Sequence, residues 1–562
     1  MKTFCQKPIV RPTGLREVLG ILVLLLSALG EQALAQQNGT AETCAKEKNP
    51  DLKVQLCTRA IQSGQLSEMT RAVTFNNRGE AYYRKGQFDR AIEDYDAAIR
   101  LKPNDFIAFN NRGKAYARKG QDDRAIDDYD AAIRLNPNYA EAFNNRGNSY
   151  GLKGDYERSL RDYDQVVQLN PNNALALSNR GIAYFLKGDY GPAVEDFDRA
   201  IRLNPNYADA FNNRGSTFDA KGEHDRAIED YNAAIQLNPK HALAFYNRGL
   251  AYAGKGQFDR AIESYNAALR LNPNDPLAIR NRGNAFSDKG QHERAIDDYD
   301  AAIRLNPNHA LAFYNRGLAY ARKGQYDRAI GDYDEAIRLN PKLTAAFNNR
   351  GDIYYRKGQY DQAIEEFATA IRLNSNSALA FYNRGLAYAG KGQYERAIED
   401  YDAALRLNPN DALVFRNRGL ARFHQGQFES AAADLAKAGQ LDPPELYGIL
   451  YLYLAQIGAG QKSRDDLASK AARLNLEQWP GPVVSMYLGR LTPQAVLDLA
   501  IDSDPKRQRA KQCEAYFYVG QHLLIEGKKS EAVAMFQRAV ATGVIDFIEY
   551  TAARAELSRL GF

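Results

Sequence analysis

Two side chains recur together along most of this 562-residue chain, an asparagine followed at once by an arginine, and they return every 34 residues. The asparagines are Asn77, Asn111, Asn145, Asn179, Asn213, Asn247, Asn281, Asn315, Asn349, Asn383 and Asn417. A carboxamide carries both a donor and an acceptor, so a row of them can pair with a peptide backbone whatever side chains that backbone bears. The arginines run from Arg78 and Arg112 through Arg316 to Arg418, and sixteen residues after each stands a carboxylate in ten of eleven copies: Asp94, Asp128, Asp332 and Asp434 for the four just named. That spacing predicts a ladder of internal ion pairs. Partly buried pairs add little over an apolar isostere, yet removing one partner costs about 3–5 kcal/mol. Ser264 takes the acid's place after Arg248, which marks the sixth copy as a soft joint or a place where the arginine turns to a ligand.

Chemistry of the bond-breaking kind finds no support. There is no glycine-rich phosphate loop after a strand and no serine or cysteine nucleophile motif. The six histidines are scattered without metal-ligand spacing, and the carboxylates recur with the repeat. The reading is a non-enzyme with no cofactor and no metal site.

The elements that must position these residues are short helices. In the first copy Phe75, Gly79 and Tyr82 fall on one face, as do Ala91, Tyr95 and Ala98, with Lys85-Gly86 breaking the chain between them. Small and large residues therefore alternate across the seam, which is how helix pairs interlock. Pro103 ends the unit. The 34-residue length, the aromatic-x-x-x-Gly-x-x-Tyr opening, the later Ala and Tyr or Phe and the closing Pro resemble the tetratricopeptide repeat. The resemblance covers Ala72 to roughly Pro443 and implies an all-α fold, a right-handed superhelical solenoid of helix-turn-helix repeats. Such arrays serve many unrelated partners, so the fold alone names none.

The asparagine row shares a helix face with Val73, Glu80 and Arg84, distinct from the Phe75-Gly79-Tyr82 stripe. In arrays of this family that face lines the concave groove. The resemblance extends to the asparagine ladder in the repeat domain of O-linked N-acetylglucosamine transferases, where the amides grip an extended peptide. Rungs about 9–10 Å apart would meet roughly every third residue of such a strand. From the sixth repeat the pattern doubles, with Tyr246, Tyr314 and Tyr382 beside the ladder, Leu243, Leu311 and Leu379 one turn before and Leu250, Leu318 and Leu386 one turn after. Tyrosine with neighbouring apolar area suits an interface hot spot, so the strongest binding segment is expected in repeats six to eleven. The other reading of the asparagines is that they bond neighbouring helices or water.

The rest of the chain supplies an address and two ends. Residues 1–35, with Lys2, Lys7, Arg11 and Arg16 before the apolar run Leu19–Gly30 and then Ala33-Leu34-Ala35, read as a secretory signal peptide; the run is too short for a membrane span. The leader holds four cations and two acids, so the chain's net charge of +5 falls to about +3 without it. Lysine and arginine are matched by acids within every repeat, which argues against a nucleic-acid or anionic-membrane partner. Residues 36–71 read as an N-terminal helical cap in which Cys44 and Cys57 form a disulfide, as export allows. Eleven repeats occupy 72–445. Degenerate helices follow in 446–512, around Leu467–Leu474, Val483–Leu491 and Pro493–Ile501, with Trp479–Pro482 as a turn and Ser503–Gln512 as a loop. Residues 513–562 read as a terminal repeat and capping helix, with Cys513 in its core. The segment from Glu514 to Tyr550 weakly resembles the end of envelope adaptors of the new lipoprotein I type, without their lipid-bearing cysteine. Together these readings describe a periplasmic or secreted scaffold that binds protein or peptide segments, envelope enzymes among them, and does not insert stably into a membrane. The rival readings are an accessory of polysaccharide or peptidoglycan complexes and a self-associating array.

Overall fold

The computed structural model describes residues 41–443, 445–461, 464–544 and 547–562; the leader expected at 1–35 lies outside them. Every regular element among the described residues is a helix. The chain divides into two compact units, the first ending at Pro273 and the second beginning at Asn274, a boundary inside the array where the sequence reading set none.

The first unit opens with a short helix over 41–46 and the helix Pro50–Gln62, which Asn49 caps by accepting from the N–H groups of Asp51 and Leu52. Cys44 and Cys57, both fully buried, meet between these helices with sulfurs 1.93 Å apart and Cα atoms 5.1 Å apart.

Each repeat then has one plan. The first helix, Glu68–Arg84 in repeat one, turns over at Lys85-Gly86 into the second, Phe88–Leu101. Gly86 takes φ +72°, a left-handed conformation that side chains beyond glycine rarely adopt, and Gln87 N–H closes the turn on the Tyr82 carbonyl at 2.9 Å. Asp89 in the first turn and Arg100 in the last complement the helix dipole. Ala91, Tyr95 and Ala98 are buried, and Tyr95 lies flat against Gly79, where an added Cβ would come within 2.8 Å of the ring. The same tight contact returns at Gly113 on Tyr129, Gly249 on Tyr265 and Gly351 on Phe367.

Within each unit a second helix packs on its own first helix and on the next repeat's first helix. First helices also touch the first helices of neighbouring repeats, whereas second helices share no comparable contact with one another. The first-helix side is therefore the inner side of each stack.

The second unit carries repeats seven to eleven, from Pro276–Asp288 to Phe428–Leu441, and then a distinct end. Helix Leu446–Gly458 is buried from Ile449 through Ala455 and joins Phe423, Ala431 and Leu435 of repeat eleven to Tyr487, Phe517 and Tyr518 in one core. Helices follow at Arg464–Ala471, Gly481–Tyr487 and Pro493–Leu499. The loop expected over Ser503–Gln512 is not one: Asp504 accepts from the N–H groups of Lys506 and Arg507 and Pro505 starts a helix that runs to Ile525. The cap and the proline are a helix-start signal that the density of charge obscured. Lys529–Ala541 completes the last repeat and Ile548–Leu560 closes the chain. Cys513 is buried with its thiol donating to the Ala539 carbonyl at 3.6 Å, and burial pushes its pKa up to about 11.

Candidate functional site

The arginine lattice lies in the seams between helices. Arg78 donates from Nε and Nη2 to the two oxygens of Asp94 at 2.8 and 2.7 Å; Arg112 meets Asp128 and Arg316 meets Asp332 in the same bidentate way. The aspartates are buried while the arginines keep one edge in solvent. Hydrogen bonds donated to the carboxylates hold the Arg78 and Arg316 guanidinium groups above their ordinary range, against the opposing effect of burial. A second acid, missed by the sequence reading, comes from the preceding repeat: Arg112 Nη1 donates to Asp96 at 2.6 Å, and Arg316 Nη1 to Asp300 at 2.5 Å. The signal was present in the Asp-Tyr-Asp triplet, whose outer residues reach the arginines of two successive repeats.

Arg248 faces a different pair. Its Nε donates to Ser264 Oγ at 3.2 Å and its Nη1 to Asn232 Oδ1 at 2.8 Å, so both carboxylates have been replaced by neutral groups. Burial without a counter-charge pulls this guanidinium below its ordinary value, the reverse of its counterparts.

The asparagine row faces the inner side but is not wholly open. Nδ2 of Asn111, Asn145 and Asn179 donates to Oδ1 of Asn76, Asn110 and Asn144 one repeat earlier, at 3.1, 2.9 and 2.9 Å. Asn247 donates likewise to Asn212, and Asn383 to Asn348. Asn315, where the residue one repeat back is Arg280, turns instead to Asn284 at 2.8 Å. Asn213 accepts from its neighbour Asn212, Asn281 is buried, and Asn77 at the first rung is half-buried. The amide nitrogens thus stitch consecutive first helices, as the second reading of these residues held. Their oxygens are another matter. Among the described residues nothing donates to Oδ1 of Asn111, Asn145, Asn179, Asn247, Asn315, Asn349, Asn383 or Asn417, and none of these oxygens is buried without a partner. These eight rungs each offer an acceptor, not the donor and acceptor expected, whereas Asn213 and Asn281 have their oxygens engaged by Asn212 and by Arg280 and Asn284.

The tyrosines belong to the stitching. Tyr314 and Tyr382 accept on their hydroxyls from Nδ2 of Asn349 and Asn417, both at 3.0 Å. Tyr246, Tyr314 and Tyr382 are half-buried, their rings 6.0, 6.0 and 6.1 Å from the core rings of Tyr265, Tyr333 and Tyr401. They replace the asparagine at the position before the rung, which points at the next repeat, so they are not the open aromatic surface anticipated. Open apolar area lies one turn earlier. Leu243 is 53 % exposed and Leu379 58 %, and Val73, Ile107, Leu175 and Leu413 hold the equivalent place in other repeats, exposed as well. A row of aliphatic side chains therefore flanks a row of free carbonyl oxygens in each unit.

Nothing in this arrangement supplies a nucleophile with its base. No group of three or more metal-ligating side chains lies together among the described residues, and no described helix is long and apolar enough to cross a membrane.

Family models match the array closely. One described as TPR repeat fits residues 79–120, 114–154, 147–188 and 351–392, and others described as tetratricopeptide repeat fit 212–276 and 280–344, 174–207 and 378–411, and 332–365. Among solved structures the chain is similar to MamA, at 34% identity over 29% of this chain and 94% of that one, with a TM-score of 0.27. It is similar to a tetratricopeptide repeat protein from Parabacteroides merdae, at 25% identity over 44% of this chain and 98% of that one, TM-score 0.36. A third is YrrB, a TPR protein with an unusual peptide-binding site, at 27% identity over 33% of this chain and 95% of that one, TM-score 0.28. With paired helices locked by a glycine against a large side chain, tyrosine in most repeats, and repeat models covering residues 79–207, 212–276 and 280–411, the chain belongs to the tetratricopeptide repeat family.

Proposed function

We infer that this protein-binding scaffold is a non-catalytic adaptor of the bacterial cell envelope that holds extended segments of partner proteins on its first-helix face. The observation that carries the reading is the row of carboxamide oxygens that accept from no described residue, beside exposed aliphatic side chains. A strand in extended conformation projects an N–H toward one side at regular intervals and its side chains to alternate faces, so it can meet both rows at once. The leader-like residues 1–35 and a disulfide between Cys44 and Cys57 support a periplasmic or secreted setting, where disulfides persist.

The test replaces Leu311 and Leu379 by Asp in the mature protein. Both side chains are exposed, so the fold should survive the change. Photo-crosslinkers placed beside the two positions in periplasm should trap partners with the native face and lose them with the variant. Equal trapping by both would overturn the reading, and dimers of the chain as the sole product would favour self-association.

A further inference from the structure

The second unit contains a cavity of about 920 Å³ at the end of the first-helix face. Its wall begins with Leu413 and Asn417, the last exposed aliphatic residue and the last rung, so a strand lying on that face is led to its mouth. Two glutamates line it from different helices, Glu514 from Pro505–Ile525 and Glu549 from Ile548–Leu560, and each is only 5 % exposed. Aromatic donors fix one oxygen of each. Glu514 Oε2 accepts from Trp479 Nε1 at 2.6 Å and from the Tyr447 hydroxyl at 2.7 Å; Glu549 Oε1 accepts from the hydroxyls of Tyr518 at 3.0 Å and Tyr451 at 3.4 Å. Among the described residues neither carboxylate has an ion pair, and the other oxygen of each accepts from no side chain.

Two buried carboxyl groups without a counter-charge are costly to ionise. Either they hold protons or something positive comes to them. We propose that the cavity takes the cationic side chain of a lysine or arginine from a peptide lying on the first-helix face, with Glu514 and Glu549 as its counter-charges. The cavity's size suits a side chain and its neighbours, being within the roughly 300–1,000 Å³ of ordinary ligand pockets. Leu420, Leu435, Leu452 and Leu474 offer an aliphatic wall to a methylene stem, and the rings of Tyr447 and Tyr451 a favourable surface for a cation. The inference rests on the peptide-binding reading for the carrier of the charge. Burial, with Glu549 adding its repulsion, pushes Glu514 up to about 7, so the Glu514 charge develops as pH rises through neutrality; burial raises Glu549 too. Facing these groups are Tyr447, Tyr451, Trp479 and Tyr518, with Lys511 on the same helix as Glu514; Arg416, Lys470 and Arg473 also line the cavity and are the internal rivals of a visiting cation.

Calorimetric titration of the full mature chain tests this with butylamine against 1-butanol, and with acetylated, amidated peptides that differ only in lysine or norleucine at one position. Butylamine should bind and butanol not. The lysine peptide should bind at least tenfold more tightly than its norleucine twin. Glu514→Gln and Glu549→Gln, each checked for native circular dichroism, should abolish both differences. Should either variant fail to fold, the native protein still decides: butylamine binding should weaken at least tenfold between pH 8 and pH 5, where the amine stays charged and Glu514 does not. Equal binding of butylamine and butanol, or differences that persist in the glutamine variants or at pH 5, would overturn the pocket. Equal binding of the two peptides would do the same while leaving the face reading intact. Butylamine binding with no peptide binding would overturn the peptide as carrier, and the face reading with it.

Discussion

Arg248 shows what a single exchange of side chains does inside a regular lattice. Its counterparts at 112, 146, 180, 214, 316, 350 and 418 each touch two carboxylates, whereas Arg248 touches a serine and an amide. Since the desolvation of this arginine is already incurred, restoring one acid should be a net gain. Ser264→Asp is expected to raise the urea midpoint by an amount corresponding to about 1–3 kcal/mol; an unchanged or lower midpoint would show that the neutral pair is as well satisfied as an ionic one. Glu514 provides the pH counterpart. Its carboxyl is raised in the folded state, so folding favours the proton. The stability this confers is complete below about pH 4.5, the ordinary value, and is lost as pH rises toward about 7. Stability of the second unit should fall across that window by up to about 3 kcal/mol, and Glu514→Gln should flatten the profile, as read by denaturant melts at pH 4.5, 6 and 8. Much of this scale was legible in advance, because Arg and Asp sixteen residues apart announce themselves in a perfect repeat. The role of Asp96 was not, since its partner lies in the next repeat, and neither were Glu514 and Glu549, which stand 35 residues apart in a region without periodicity to place them.

Helices and turns were the most readable level, and the reason is local. Alternating small and aromatic residues, a glycine at each turn and acids at helix starts all point to one answer. The misreading at Ser503–Gln512 came from weighing charge over the Asp504-Pro505 start. Asn374-Ser375, which lacks the proline of its counterparts and so could read as a hinge, keeps the same backbone: Asn374 sits at φ −143° and ψ 94°, beside −137° and 89° at Asn340. The proline is thus dispensable to that turn. Glycine at the seam is not. Gly249→Ala would place a Cβ 2.5 Å from the Tyr265 ring, which is buried and cannot swing aside. A loss of about 1–3 kcal/mol is expected, against less at Gly147→Ala, where the nearest ring atom is 3.2 Å away; equal melting shifts for the two would refute the packing argument.

At the level of the whole chain, repeats stabilise one another only through neighbours, so the ends decide where unfolding begins. The second unit closes with a core that spans repeat eleven and the seven helices described after it. The first unit has two short helices and the Cys44–Cys57 link. A bridge closing so small a loop is worth about 3 kcal/mol in the chain-entropy model. Dithiothreitol should therefore accelerate amide exchange in Pro50–Gln62 and repeat one while leaving repeats nine to eleven unaltered; exchange indifferent to reductant would mean the thiols are free. The free carbonyl oxygens of the rungs carry one more consequence. A visitor that satisfies them must present a hydrogen at each place where it meets a rung, and proline and N-methylated residues have none. The face should therefore be selective about imino acids in a guest's sequence while indifferent to most of its other letters.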